Sequence, residues 1–165
     1  MKDSPVDQKL TRAVIDAFYS VYDDLGYGFL ESVYTNALHG VLCDQGIPCR
    51  SEFPIEVVHR GRVVGFYRAD LLVESCLILE IKSSAALAVT AERQLLNYLR
   101  ATRIQVGLLL HFGPTPSFKR RVCTRQSPPL SAVARESPRE PVRQAPREPV
   151  RQAPRDDPNQ ADPPQ

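Results

Sequence analysis

Three charged residues stand in a stretch that is otherwise apolar. Residues 69–82 read ADLLVESCLILEIK, with Asp70 near its start and Glu80 and Lys82 at its end. The pattern predicts the end of one β-strand, a tight turn and a second strand. Side chains alternate across a strand, so Glu80 and Lys82 point the same way, and a hairpin between residues 64–73 and 76–82 brings Asp70 close to both. Leu77, Leu79 and Ile81 line one face and Cys76 and Ile78 the other, which is not how an ordinary solvent face begins. The bland alternative is a half-exposed strand whose charges face water, since D-x9-E-x-K is a loose spacing. Burying an unpaired charge is very costly. The patch must therefore hold a compensating cation or open to water.

Two carboxylates and an ammonium support hydrolysis of phosphodiesters. Hard oxygen ligands of this kind suit Mg²⁺ (or Mn²⁺), with Mg²⁺ held at about 2.0–2.1 Å in an octahedron completed by water and substrate phosphate. One or two ions would polarise the phosphate, generate hydroxide and stabilise the leaving oxygen. Lys82 is a poor general base, because its reference pKa is about 10.4 and neighbouring carboxylates favour its charged form. It suits positioning of the attacking water and stabilisation of negative charge in the transition state.

These side chains need a framework. Apolar residues from Val6 to Tyr22 keep a helical period, with Ser4 as cap, Pro5 at the first helical position and a stop near Gly26. After Gly26-Tyr27-Gly28 a second helix is expected over 29–44, with Glu31 in its first turn, where a carboxylate is favoured by the helix dipole. Residues 47–53 lead into the sheet. Strands follow at 55–59, 63–73 and 77–82, with a hairpin turn at Arg60-Gly61. Thr90 caps a helix that runs to Thr102. Residues 104–112 read as a strand buried on both faces, and 118–122 as a short edge strand. A helix between strand three and the next strand implies a right-handed crossover with parallel strands. The order α-α-β-β-β-α-β predicts an α/β domain: a mixed sheet flanked by helices.

The chain has 165 residues, and ten of its 15 prolines follow Cys123. One domain is expected over 1–123, with a Pro/Arg-rich tail over 124–165. The tail repeats PREPVRQA at 138–145 and 146–153, with a decayed copy at 154–161. So few apolar groups cannot offset chain entropy, which predicts disorder with polyproline II character. Its PxxP pattern at Pro138-Arg139-Glu140-Pro141 is a formal protein-binding motif, and a solvated spacer is the simpler reading. Residues 1–123 hold 14 Lys+Arg against 13 Asp+Glu, so any basic surface is local. Candidates are Arg60/Arg62/Arg68, Arg93/Arg100/Arg103 and Lys119/Arg120/Arg121. The four cysteines form no CxxC pair and no metal-finger spacing, and no histidine pair has ligand spacing. Free buried thiols are expected, and no zinc. There is no signal-peptide core and no run of about 18 apolar residues. A cytoplasmic protein outside the membrane is expected.

Three short motifs carry a resemblance. Asp70 with Glu80-Ile81-Lys82 resembles the PD-(D/E)XK nuclease superfamily. Gly28-Phe29-Leu30-Glu31-Ser32-Val33-Tyr34 resembles the GxxExxY signature of a family of small proteins within it. Gln94-Leu95-Leu96-Asn97-Tyr98 resembles the QxxxY pattern of RecB-type exonucleases. The resemblance covers about residues 8–123 and implies a restriction-endonuclease-like αβββαβ core. It further implies Asp70, Glu80 and Glu31 as metal ligands, Lys82 as a catalytic residue, and Gln94 and Tyr98 as residues that contact the substrate phosphate or hold Lys82. Tyr98 also fits the apolar stripe of its helix as simple core. Tyr34 reads as core by spacing and as a hydrogen-bonding support by family. Arg68, two before Asp70 on the strand, either reaches the phosphate or neutralises Asp70. The motif lacks its leading Pro, reading Ala69-Asp70, a departure common in the superfamily.

Two functions compete on the sequence. One is a Mg²⁺- or Mn²⁺-dependent nuclease acting on nucleic acid, with DNA the expected polymer. The other is a catalytically silent nuclease-like module that binds nucleic acid or, through its tail, a protein partner. About 120 folded residues leave little room for a separate DNA-reading domain, so specificity is low or comes from a homodimer or a partner.

Overall fold

The computed structural model describes residues 5–123. The Ser4 cap, the Pro/Arg-rich tail, its repeats and its PxxP segment lie outside the described residues. Helix α1 spans Pro5–Leu25. Leu10, Val14, Ala17, Phe18 and Val21 are buried along it at three- and four-residue intervals. It stops where predicted: Gly26 takes φ 69° and its amide bonds back to the Tyr22 carbonyl at 2.8 Å, a left-handed exit that suits glycine. Helix α2 spans Glu31–Asp44 and buries Tyr34, Leu38 and Leu42. It begins two residues later than its apolar pattern suggests. Leu30 is still extended at φ −68°, ψ 153°, so Glu31 is the first helical residue.

Strand β1 (Cys49–His59) and strand β2 (Arg62–Val73) form a long antiparallel hairpin. Arg60 and Gly61 turn it with φ of 49° and 76°, the positive pair that a two-residue hairpin turn requires. β1 starts six residues earlier than expected. Its first six residues are exposed or half-buried, so they carry no hydrophobic alternation by which to recognise a strand. Strand β3 (Leu77–Lys82) pairs antiparallel with β2. Helix α3 (Val89–Thr102) starts from Ala88 rather than from a Thr90 cap. Strand β4 (Val106–His111) then runs parallel to β3, and β5 (Ser117–Val122) closes the sheet antiparallel to β4.

The sheet order is β1-β2-β3-β4-β5. One core packs α1 and α2 on one face through Leu71, Val73, Leu77, Leu79, Ile81, Leu108 and Leu110. A second core packs α3 on the other face through Leu72, Ile78 and Leu109. The strict alternation of β3 between the two cores fixes which face Glu80 and Lys82 share: that of Ile78 and α3. Five strands with helices on both faces make a mixed α/β sheet. Among the described residues no helix is long and apolar enough to cross a membrane. The cysteines are free, as expected, but none is buried; Cys43 is exposed and the other three are partly covered.

The crossover depends on a close approach. α3 lies so near β4 that a Cβ on Gly107 would meet Leu95 Cδ1 at 2.7 Å and Leu99 Cδ2 at 3.2 Å. Leu95 is fully buried, so it would have to shift within a packed core. Gly107→Ala is therefore expected to destabilise the fold by about 1–3 kcal/mol through overpacking, read as a lower urea midpoint with an unchanged slope. Wild-type stability in that variant would refute the packing account.

Candidate active site

The β2–β3 ladder pairs Val73 with Leu77, Leu72 with Ile78 and Leu71 with Leu79. One step further in the same register, Asp70 faces Glu80. There the strands part, and the Asp70 side chain replaces the ladder: its Oδ2 accepts the Ile81 amide at 2.6 Å. On the other side of β2, Glu52 falls opposite Asp70 in the β1–β2 register and takes a left-handed φ of 53°. The sheet is thus locally irregular on both sides of Asp70.

Glu80 is 1% exposed. Its Oε1 accepts from Lys82 Nζ at 2.7 Å, while its Oε2 is buried without a hydrogen-bond partner among the described residues. Burial, with the charge of Asp70 added, pushes the Glu80 carboxyl up to about 7. Burial also raises Asp70, although the Ile81 amide and the Lys82 charge oppose it. Burial pulls Lys82 down, but the hydrogen bond to Glu80 and the charges of Glu80, Glu31 and Asp70 outweigh it and hold the ammonium above its ordinary value. The neighbouring carboxylates therefore favour the charged form of Lys82.

Glu31 comes from the opposite face of the sheet. At the first position of α2, its Oε2 lies 4.0 Å from Lys82 Nζ and its Oε1 accepts the Ser83 amide at 3.3 Å. A chain of bonds sets this reach. Ser83 Oγ donates to the Phe29 carbonyl at 2.6 Å. The Tyr34 hydroxyl donates to the Gly26 carbonyl at 2.7 Å and accepts the Phe29 amide at 3.2 Å. The Tyr34 ring stacks on Phe112 with centroids 4.1 Å apart. Gly28, at φ 124°, supplies a turn that a side chain would strain. Gly28, Glu31 and Tyr34 thus have separate physical tasks: to turn the chain, to deliver a carboxylate and to pin the turn. Tyr34 is both core and hydrogen-bonding support.

On the face of α3, Gln94 Nε2 donates to the Tyr98 hydroxyl at 2.5 Å, and that hydroxyl donates to the Arg68 carbonyl at 3.2 Å. Tyr98 is buried. Its phenol is raised chiefly by burial, and also by the charges of Glu80 and Asp70. The pair ties α3 to β2 two residues before Asp70. The Arg68 guanidinium does not join the acids. It is exposed and pairs with Glu52 at 3.4 Å, and of the charges acting on Asp70 it is the weakest.

Two contributors carry no sequence signal of their own. Ser83 links Glu31 and Phe29 to the end of β3. His111, buried on β4, holds the Ser84 carbonyl at 2.7 Å through Nε2 and so fixes the same loop. The pairing of Lys82 with His111 across parallel strands makes that position available only once β4 is placed. In one proposed basic cluster, a single carboxylate, Glu92 on α3, pairs with both Lys119 and Arg121 of β5.

Asp70, Glu80 and Glu31 offer hard oxygens around Lys82, and Glu80 Oε2, without a hydrogen-bond partner among the described residues, is a buried acceptor that a cation would satisfy. Their donor type suits a divalent ion of the Mg²⁺ class, but their oxygens are not gathered to ligand spacing: among the described residues the three-ligand group within 4.8 Å is His39, Cys43 and Cys49. Without a divalent ion the raised carboxyl of Glu80 has a cost. Near the ordinary value of 4.5 and below, folded and unfolded chains both carry the proton. As pH rises toward about 7 only the unfolded chain has released it, so stability falls. In EDTA the unfolding free energy is expected to drop by a few kcal/mol between pH of about 4.5 and about 7, and Glu80→Gln to flatten that slope. Urea titrations across this range check it, and equal slopes in both proteins would refute it.

No curated protein matches the chain. One solved structure that it resembles is described as "Crystal structure of SSO0001", with 22% identity, a TM-score of 0.44, and coverage of 55% of this chain and 48% of that chain. The chain thus spans about half the length of that relative. A family model described as the PD-(D/E)XK nuclease superfamily matches residues 8–122. That match runs from α1 to the end of β5 and takes in Asp70, Glu80 and Lys82, and by it the chain belongs to the PD-(D/E)XK nuclease superfamily.

Proposed function

We propose that the chain is a divalent-cation-dependent nuclease that hydrolyses phosphodiester bonds of DNA. The observation that carries this reading is Glu80 Oε2: a buried carboxylate oxygen without a donor, beside a second carboxylate and a lysine that is already charged. Such a group is costly in a purely structural role.

Asp70, Glu80 and Glu31 would hold the ion, Mg²⁺ or Mn²⁺, which supplies Lewis-acid polarisation of the phosphate. Lys82 orients Glu80 through Oε1 and stabilises negative charge that develops on the phosphoryl oxygens. Gln94 and Tyr98 hold the backbone of β2 just ahead of Asp70, and Gln94, half-buried at that end of α3, is the one of the two that reaches substrate. The Glu31 loop also carries a half-exposed rim, Tyr27, Phe29 and Leu30. Exposed aromatic faces of this kind suit stacking against nucleobases. The GxxExxY signature fits the same scheme, since its Gly, Glu and Tyr build the Glu31 arm. Within the bounds of the family, these features favour a working enzyme over a silent binding module.

Single- and double-stranded DNA and RNA, incubated with Mg²⁺ or Mn²⁺, test the reading. Cleavage of DNA is expected, and EDTA is expected to abolish it. Lys82→Ala and Asp70→Asn should each lower the rate at least about a hundredfold, in line with loss of transition-state charge stabilisation, while circular dichroism shows an intact fold. Cleavage that survives Lys82→Ala would reject the mechanism. A folded protein that binds DNA without cutting it under any of these conditions would favour the silent module.

A further inference from the structure

A second cluster of metal-ligating atoms lies at the far end of α2. His39, Cys43 and Cys49 bring their ligand atoms within 4.8 Å of one another. Cys43 Sγ stands 3.9 Å from Cys49 Sγ and 3.7 Å from His39 Nδ1. His39 and Cys43 are four apart and so share a face of α2. Cys49 opens β1 and is carried back to them by the turn between. That turn is closed by backbone bonds from Gly46 N to the Cys43 carbonyl and from Ile47 N to the Leu42 carbonyl, both at 2.9 Å. The triangle is held by the fold and does not depend on a loose loop.

The spacing matches a tetrahedral ion better than it matches a covalent bridge. A disulfide brings two sulfurs to about 2.05 Å, so these thiols are separate. Zinc bonds of about 2.3 Å to sulfur and about 2.0–2.1 Å to nitrogen put neighbouring ligands of a tetrahedron about 3.6–3.8 Å apart. The observed edges of 3.9 and 3.7 Å differ from this by no more than a few tenths of an ångström. Cys43 is exposed, and His39 and Cys49 are partly so, which leaves the fourth position open to water. The sequence alone gives no zinc site, because His-x3-Cys-x5-Cys is not a recognised finger spacing and the third ligand arrives only through the α2–β1 turn.

We propose that His39, Cys43 and Cys49 bind one thiophilic cation of the zinc class, through an imidazole nitrogen and two thiolates, and so clamp the end of α2 to the start of β1. Each thiol passes its proton to solvent as its sulfur bonds the ion, and nothing is oxidised or reduced. Soft sulfur and imidazole donors distinguish this site from the carboxylates at the other end of the helix, which suit hard cations. The clamp would stiffen the helix that presents Glu31.

Co²⁺ titration of the full chain, reduced with a phosphine, tests the proposal. One equivalent of Co²⁺ is expected to produce a thiolate-to-cobalt charge-transfer band, which Zn²⁺ displaces, and Zn²⁺ is expected to raise the unfolding midpoint. Cys43→Ser, Cys49→Ser and His39→Ala should each weaken binding by roughly tenfold or more, whereas Cys76→Ser and Cys123→Ser should leave it unchanged. Glu80→Gln should retain the band, which separates this site from the carboxylates. Cys43 is on the surface, so its replacement tests binding without disturbing the core. Absence of the band in the reduced protein, or a band that survives joint replacement of Cys43 and Cys49, would overturn the proposal.

Discussion

Glu80 sits on a buried strand with one oxygen bonded to Lys82 and the other facing no donor. Much of the surrounding architecture answers the demand this makes. Lys82 lies two residues away on the same face. Asp70 stands opposite and takes the Ile81 amide where the strands part, and Glu31 is brought round from α2 to the same ammonium. Each of these residues alone would be an ordinary strand or helix charge. Together they concentrate carboxylate charge beside Lys82, with Glu80 buried and Glu31 half-exposed to water. That imbalance is costly to the fold unless a cation or a proton compensates it.

The supports around that centre are mostly hydrogen bonds from neutral groups. Tyr34 pins the turn ahead of α2, Ser83 joins that turn to β3, His111 holds the next residue of the loop, and Tyr98 with Gln94 fixes the backbone leading to Asp70. Tyr34, Ser83, Tyr98 and Gln94 add no charge. They limit how far the acids can move apart under mutual repulsion, and they connect both helical layers to the strand ends that carry the acids.

The sequence made parts of this legible for definite reasons. β3 was readable because it alternates between two cores, which fixed the shared face of Glu80 and Lys82. The stop of α1 was readable because Gly26 takes a backbone geometry that few other residues accept. The parallel β3–β4 pairing followed from the helix between them. β1 was readable only in its second half, since its early residues are largely in water. Thr90 looked like a cap but lies inside α3, because the chain was already turned at Ala88. Alternation puts Arg68 on the face of Asp70, whose carboxyl its charge lowers only weakly, while its guanidinium pairs with the cross-strand Glu52. The meeting of His39, Cys43 and Cys49 depends on a turn geometry that residue spacing does not encode.

The outermost strands of the sheet have a consequence for association. β1 carries Pro54 in its middle and Arg50, Glu52 and Glu56 in exposed positions, and β5 presents Lys119, Arg120 and Arg121. Proline removes a backbone donor, and clustered charge disfavours a neighbouring ribbon of the same chain. Within the described residues, both edges of the sheet thus carry features that disfavour pairing with a further strand.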